Sequence, residues 1–435
     1  MNGERRRGTG LRSASYVNLH SRFTPALDVP LLDQLIRHLE ARAPEGMTAL
    51  RFSISKSTSK VLGVEATYYS RELDGSAYDS PRHLSQNPHA SVVVHVVPTS
   101  VGASIGGFAG DASPATRLLA QVAETVIAHP NVVNASDILS MTDNTVYVEG
   151  SLLDRFFLGE VALRPVSSNV VGIIIEKQPQ RFVDQVRYSI DAAHATCGIP
   201  IAGYAVTSQK IGARVRRFGS GAYTGVIDHP GVLLDAAERL VTKGAKAIAV
   251  TAEILDLPDL SRYVRGKGPN PHGGLEALVS HTVSRRFNLP AAHAPMWGEA
   301  SRENPTFGEY DPREAAELVT KTAIGCVLQG LHKAPQPVQW SQSRPGDLLV
   351  SDVVALVVPY RSIGNIPALS CEKIGIPILG VRENVTLQRV DPVHLNMRQY
   401  YLVENYLEAA GFVAALRSGI SLLSLHRPVR NITAI

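Results

Sequence analysis

The chain alternates apolar runs with polar, glycine- or serine-rich breaks, and the period of each run predicts its structure. In "DVPLLDQLIRHLEAR" the residues Leu31, Leu32, Leu35, Ile36 and Leu39 recur at i, i+3 and i+4, the spacing of an amphipathic helix that ends before Pro44. In "ALRFSISKS" Leu50, Phe52 and Ile54 alternate, which predicts a half-buried strand. A polar stretch, Ser70 to Pro88, reads as a linker. Beyond Ser91 the order of apolar strand, polar turn, helix and apolar strand repeats, the grammar of βαβ units. Strands are expected at Val92 to Val97, Thr125 to Ala128, Val171 to Ile175, Ile199 to Val206, Ala247 to Thr251, Pro290 to His293, Val353 to Val358 and Ile376 to Val381. Most are unbroken apolar runs, as parallel strands covered on both faces require.

Two segments depart from that grammar. "RVRRFGSGAYTGVIDHPG" alternates around glycines and predicts a β-hairpin; its G-x-G-x-x-x-G match at Gly219, Gly221 and Gly225 lacks the apolar strand and following helix of a dinucleotide site. "LNMRQYYLVENYLEAAGFVAALRSG" predicts one long amphipathic helix whose Met397, Tyr400, Tyr401, Val403 and Leu407 would cover either a sheet edge or a partner subunit, the second alternative being a homodimer. The fold class is α/β, with mostly parallel sheet in two or three lobes, an N-terminal helix and strand extension, and a long C-terminal helix. The expected divisions are a basic tail (1–15), an N-terminal extension (16–90), a first lobe with a glycine-rich loop (91–210), a second with the hairpin (211–345), and a last βαβ unit with the helix (346–435).

Composition narrows the function classes. The 435 residues exceed one ordinary domain, and 44% apolar with 19% charged residues suit a folded globular chain. The net charge of +4 is small, and the dense basic run Arg5 to Arg12 lacks interleaved aromatics, so no nucleic-acid partner is expected. Three distant cysteines, Cys197, Cys326 and Cys371, give neither a disulfide framework nor a cysteine zinc site. Without an apolar leader or a membrane-length apolar run, the expectation is a cytoplasmic chain with no membrane association.

The candidate chemistry gathers at strand ends. "VVPTSVGASIGGFAGDASPATRLL" places Thr99, Gly102, Gly106, Gly107, Gly110 and Asp111 between a strand and the helix start Ser113-Pro114. Glycines permit close backbone approach and free N–H groups attract an anion, so Thr99, Gly106 and Gly107 are candidate binders of a small anion or an oxyanion. No G-x-x-x-x-G-K-[ST] occurs, and no nicotinamide or flavin signature, so the cofactor stays unassigned. Asp111 would repel an anion unless it binds a metal or takes a proton; otherwise it stabilises the helix dipole.

"AHPNVVNASD" sets His129 and Asn131 beyond one strand, and "AAHAP" sets His293 beyond another. Imidazoles from separate strand ends can converge as acid and base, although a histidine at a strand end also serves as a packing residue. Gly273 and Gly274 in "GPNPHGGLEAL", and Asn365 in "SIGNIPA", form further turn-to-helix junctions, each equally a plain helix cap. Arg382 in "GVREN" is a candidate fork for a carboxylate, and Glu149 in "VYVEG" an acid, a base or a solvated strand end. Two S-x-x-K matches, Ser53 with Lys56 and Ser57 with Lys60, sit on or beside a strand rather than at a helix start, which disfavours a serine–lysine nucleophile.

Together "VVPTSVGASIGGFAGDASPATRLLA", "HPNVVNASDI", "YVEGSLLDRF", "ALVSHTVSRRFNLPAAHAP" and "IGIPILGVREN" resemble the domain-of-unknown-function family numbered 3326, found in bacteria and photosynthetic eukaryotes. The resemblance runs from Val92 to Asn384. It implies that the glycine loop, the His-Pro-Asn turn, the segment around Glu149, Asp154 and Arg155, and the His-Ala-Pro turn share one design, without supplying a reaction. The residues themselves lead to an expected non-redox enzyme acting on a small anionic or amide-bearing metabolite. His129 and His293 would exchange protons, and Asp111 or Glu149 would orient one of them. A sensor that binds a nucleotide or metabolite without turnover is the alternative.

Overall fold

The computed structural model describes residues 16–26, 29–70, 91–108, 110–129, 141–256, 258, 260–296, 310–315, 323–425, 427–429 and 431. The basic run, the linker after Ser70, and Asn131 with Asn134 and Asp137 lie outside them. In chain order the first half runs β1 (Tyr16–Phe23), α1 (Leu31–Arg42), β2 (Met47–Ser57), β3 (Leu62–Ser70), β4 (Val92–His95), α2 (Ser113–Val122), β5 (Thr125–Ala128), β6 (Thr145–Tyr147), α3 (Gly150–Phe157), β7 (Val161–Arg164), β8 (Val171–Ile175), α4 (Gln180–Cys197) and β9 (Ile201–Val206). The second half runs β10 (Ala213–Arg217), β11 (Tyr223–Ile227), α5 (Pro230–Thr242), β12 (Ala247–Ala252), β13 (Ile254–Leu255), α6 (Gly273–Phe287), β14 (Ala291–Pro295), α7 (Ala323–His332), β15 (Gln336–Gln339), β16 (Val353–Pro359), α8 (Ile366–Ile374), β17 (Ile378–Val381), β18 (Tyr400–Val403) and α9 (Tyr406–Arg417).

Two all-parallel sheets carry the α/β body. One has six strands in the order β18-β17-β16-β4-β5-β6, the other four in the order β14-β12-β8-β9. Their strands are buried on both faces because alternate residues feed different cores. Ile173 and Ile175 of β8 join the core under α4 and α7, while Ile174 joins the core under α5 and α6. Val92 and Val94 of β4 likewise face α3 and the N-terminal sheet, and Val93 faces α2 and α9. Strands β4 to β6 and β16 to β18 share the six-stranded sheet, and the four-stranded sheet draws β8 and β9 from before residue 210 and β12 and β14 from after it.

The N-terminal extension is a three-stranded antiparallel sheet, β1-β3-β2, packed under α1. It is stitched to the body by backbone: Ile54 N–H donates to Gly364 O at 2.7 Å, and Arg389 N–H to Ser55 O at 3.0 Å. A Cβ on Gly364 would stand 2.3 Å from Ile54 O, so glycine is required there to let the two backbones meet. The hairpin β10-β11 forms where alternation places it. The C-terminal segment differs from the expected single helix. Tyr400–Val403 is an edge strand parallel to β17, and the helix starts only at Tyr406, capped by Asn405 Oδ1 on the Glu408 N–H. Its β-branched and aromatic run, between an exposed Arg398 and the Asn405 cap, fits a strand better than a helix turn.

Candidate functional site

In the six-stranded sheet the chain leaves β4 toward β5 and β6 on one side, and β16 leads toward β17 and β18 on the other. The order reverses between β4 and β16, and in open parallel sheets a crevice forms at such a point beyond the carboxyl ends of the strands. A cavity of about 100 Å³ occupies that position. Val96, Pro98 and Thr99 line it after β4, His129 after β5, Gly150 after β6, and Asn365 and Pro367 after β16. The walls are the polar face of β2, with Arg51, Ser53 and Ser55, and Ala277 and His281 of α6, one helical turn apart.

The two strand ends set the chemistry. Ala128 of β5 and Tyr147 of β6 are level, and Val148 N–H donates to Ala128 O at 3.0 Å, so His129 and Glu149 leave adjacent strands side by side. Glu149 is fully buried and caps α3: its Oε2 accepts from the Ser151 N–H at 2.8 Å, the Leu152 N–H at 3.2 Å and the Ser151 hydroxyl. Its other oxygen pairs with Nδ1 of His281. Burial alone would raise the Glu149 carboxyl, but the His281 charge and hydrogen bond, with those from Ser151 and Leu152, outweigh it and hold the group at about 2. Glu149 is therefore ionised at neutral pH and fixes the His281 ring by one nitrogen.

Gly150 is the point on which both imidazoles close. A Cβ there would lie 2.7 Å from His281 Cε1, 3.3 Å from His281 Nε2 and 3.2 Å from His129 Nε2. Burial pushes His129 down to about 3; His281 and Arg51 add to the shift, and Glu149 opposes it. His129 is thus a neutral hydrogen-bonding ring, whereas a proton on His281 would face a carboxylate. Arg51 donates from Nη1 to Gly274 O at 3.1 Å, tying β2 to the start of α6.

The remaining candidates lie in other settings. Asp111 Oδ1 accepts the Gly106 and Phe108 N–H groups at 2.8 and 3.2 Å, so the glycine loop encloses its own carboxylate. Burial raises that group to about 6 against those bonds and the nearby Arg313. The Cβ position of Gly107 is filled by Ala103 O at 2.3 Å, and that of Gly274 by Tyr223 O at 2.1 Å. Gly274 N–H is taken by Ser100 Oγ at 2.6 Å, and Gly273 begins α6 beside it. Asn365 lines the cavity but spends both ends of its amide locally, accepting from Ala368 N–H at 3.0 Å and donating to Ser362 O at 2.9 Å. Arg382 pairs with Glu404 at 3.0 Å on the surface. His293 has no exposed side-chain surface; its Nδ1 is 3.5 Å from Glu276 Oε1, and it does not line the cavity. Cys371 is buried in α8, where burial pushes the thiol well up and away from nucleophilic use.

Sequence reasoning passed over His281 and Arg51. His281 sits in a helix buried on all sides, where Glu276, Ser280 and Arg285 already spoil the apolar pattern; a polar group in such a helix needs a partner, and that was the available signal. Arg51 falls on the polar side of the alternation that predicted β2, the side which faces the cavity.

The chain belongs to the family described as protein of unknown function DUF3326, whose model matches residues 92–426. The match runs past Asn384, where the sequence resemblance was expected to end, and takes in β18 and α9. The chain is also similar to an uncharacterized lipoprotein of Synechococcus sp., 36% identical over 337 residues that span 76% of this chain and 92% of that protein. That relative's name overturns the expected cytoplasmic location. Acyl chains hold a lipoprotein at a membrane without any spanning helix, so a sequence lacking apolar spans does not imply the cytoplasm. Among the described residues no helix is long and apolar enough to cross a membrane.

Proposed function

We propose that the cavity around Gly150 is the centre of a non-redox enzyme that moves protons on a small anionic or amide-bearing metabolite, the chemistry of hydrolysis, elimination or ring closure and opening. The observation that carries this reading is the convergence of two imidazoles on Gly150, one of them anchored by a buried, ionised carboxylate. In this reading His281 takes up and returns the proton, Glu149 holds its ring and balances the charge, and His129 offers a neutral hydrogen bond to the substrate. Arg51 and Thr99 contact the bound molecule.

The test is a thermal-shift screen of the whole chain against phosphorylated, carboxylated and amide-bearing metabolites, followed by mass measurement of each binder after incubation. A binder whose mass changes with the wild type and not with His281→Gln is the expected result. Binders that all keep their mass with the wild type would instead establish the sensor alternative.

A further inference from the structure

The cavity wall holds two side-chain amides, and they are not in the same state. Asn365 is consumed by the start of α8, with its oxygen and nitrogen both bonded within a few residues. Gln388 also lines the cavity and is only 7% exposed, yet its Oε1 is buried without a partner and no described residue bonds its amide nitrogen. Only its backbone is engaged, with N–H donating to Thr386 Oγ1 at 3.1 Å. A buried acceptor left unmade is costly, so such a group in a cavity wall is one that a ligand completes.

Charge does not select the ligand in the same way. Arg51 contributes a cation to the cavity, but Glu65 and Asp154 line it too. Glu65 is taken by Ser220, whose N–H and hydroxyl donate to its two oxygens at 2.9 and 2.7 Å. An unpartnered primary amide presents one acceptor beside one donor, and it offers that pair whichever way its oxygen and nitrogen are turned. Its complement is a group with N–H next to C=O. The volume of about 100 Å³ suits a head group of about four or five non-hydrogen atoms, since a cavity of about 150 Å³ holds benzene.

We infer that the group bound in this cavity is an amide or imide whose N–H and C=O edge pairs with Gln388. This deepens the acid–base reading by choosing amide over plain anion. It rests on that reading only for the identity of the site, because pairing with Gln388 is a binding event separate from proton transfer at His281.

The test measures binding of matched probes to the full chain by ligand-observed nuclear magnetic resonance. Acetamide, propionamide and succinimide are compared with acetate, propionate and succinate, on the wild type, Gln388→Met and Gln388→Glu. On the wild type the amides are expected to bind about tenfold or more tightly than their carboxylate partners. Gln388→Met should bring that ratio to about one, with an unchanged melting temperature showing that the fold survives, whereas Gln388→Glu, which keeps an acceptor and repels carboxylates, should keep the amides ahead. Carboxylates binding to the wild type as well as amides, a preference that persists in Gln388→Met, or no binding by any amide would each overturn the inference. Amide preference without turnover would sink the enzyme reading alone. Turnover without amide preference would sink this inference alone.

Discussion

Two carboxylates, Asp111 half-buried and Glu149 fully buried, sit before the helices α2 and α3, and their surroundings push them in opposite directions. Asp111, before α2, accepts two backbone N–H groups, while its Oδ2 is buried without a partner. Glu149, before α3, accepts as many backbone N–H groups and adds the Ser151 hydroxyl and the His281 ring. The first is held near 6 and the second near 2. What separates them is a side chain from another element bonded to the carboxylate: burial dominates where none is in contact and loses where one is. Asp111 is bonded within its own loop, and Glu149 holds the His281 ring.

That contrast can be broken from either side. The largest expected effect is on turnover of a substrate found by the screen: His281→Gln should lower it about 10³-fold, and Asp111→Asn should leave it within about twofold, read as product mass against time. Next is stability. Glu149→Ala removes one member of a buried pair together with a helix cap, and urea unfolding should show a loss of about 3–5 kcal/mol. Asp111→Ala, which strands only backbone donors, should lose about 1–3 kcal/mol. Gly150→Ala should cost a similar about 1–3 kcal/mol, because its methyl group must displace two packed rings.

The pH dependence sharpens the same comparison. Glu149 lies below its ordinary value of 4.5, so its contribution is complete above about that pH and is lost as the pH falls toward about 2. His129, held neutral, behaves alike between about 6.5 and about 3. Asp111 lies above its ordinary value of 3.8, so its contribution is complete below that pH and is lost as the pH rises through about 6. Relative to the wild type, Asp111→Asn should therefore weaken as the pH falls from 6 to 4, and Glu149→Gln should recover as it falls from 4.5 to 2. Urea unfolding across that range shows whether the two slopes have opposite signs. The smallest effect belongs to Arg382→Ala, which removes an exposed ion pair of the kind that contributes about 0–1 kcal/mol and should not touch turnover.

The fold was legible where local physics decides it. Thr125–Ala128 and Val171–Ile175 form strands over the expected residues, because an apolar run between turns buried on both faces has little else to become. The Tyr400 segment misled because its apolar spacing also suits a helix, and only pairing with β17 makes it a strand. The site was less legible, for a topological reason. His129 and Glu149 are visible as strand-end residues, but the crevice depends on β4 pairing with β16, some 260 residues away, which no local pattern reports. His281 reaches the cavity from a helix built on the other parallel sheet, and at Gly107 and Gly274 a carbonyl oxygen stands where a Cβ would be, a close approach that no local pattern reports.

The most direct measurement is the rate at which a bound amide changes mass with wild-type protein, with His281→Gln and with Asp111→Asn, at equal saturation and pH 7. Turnover retained by Asp111→Asn and abolished by His281→Gln, with both variants still binding, is the expected result. Turnover by His281→Gln at the wild-type rate would contradict proton transfer at Gly150.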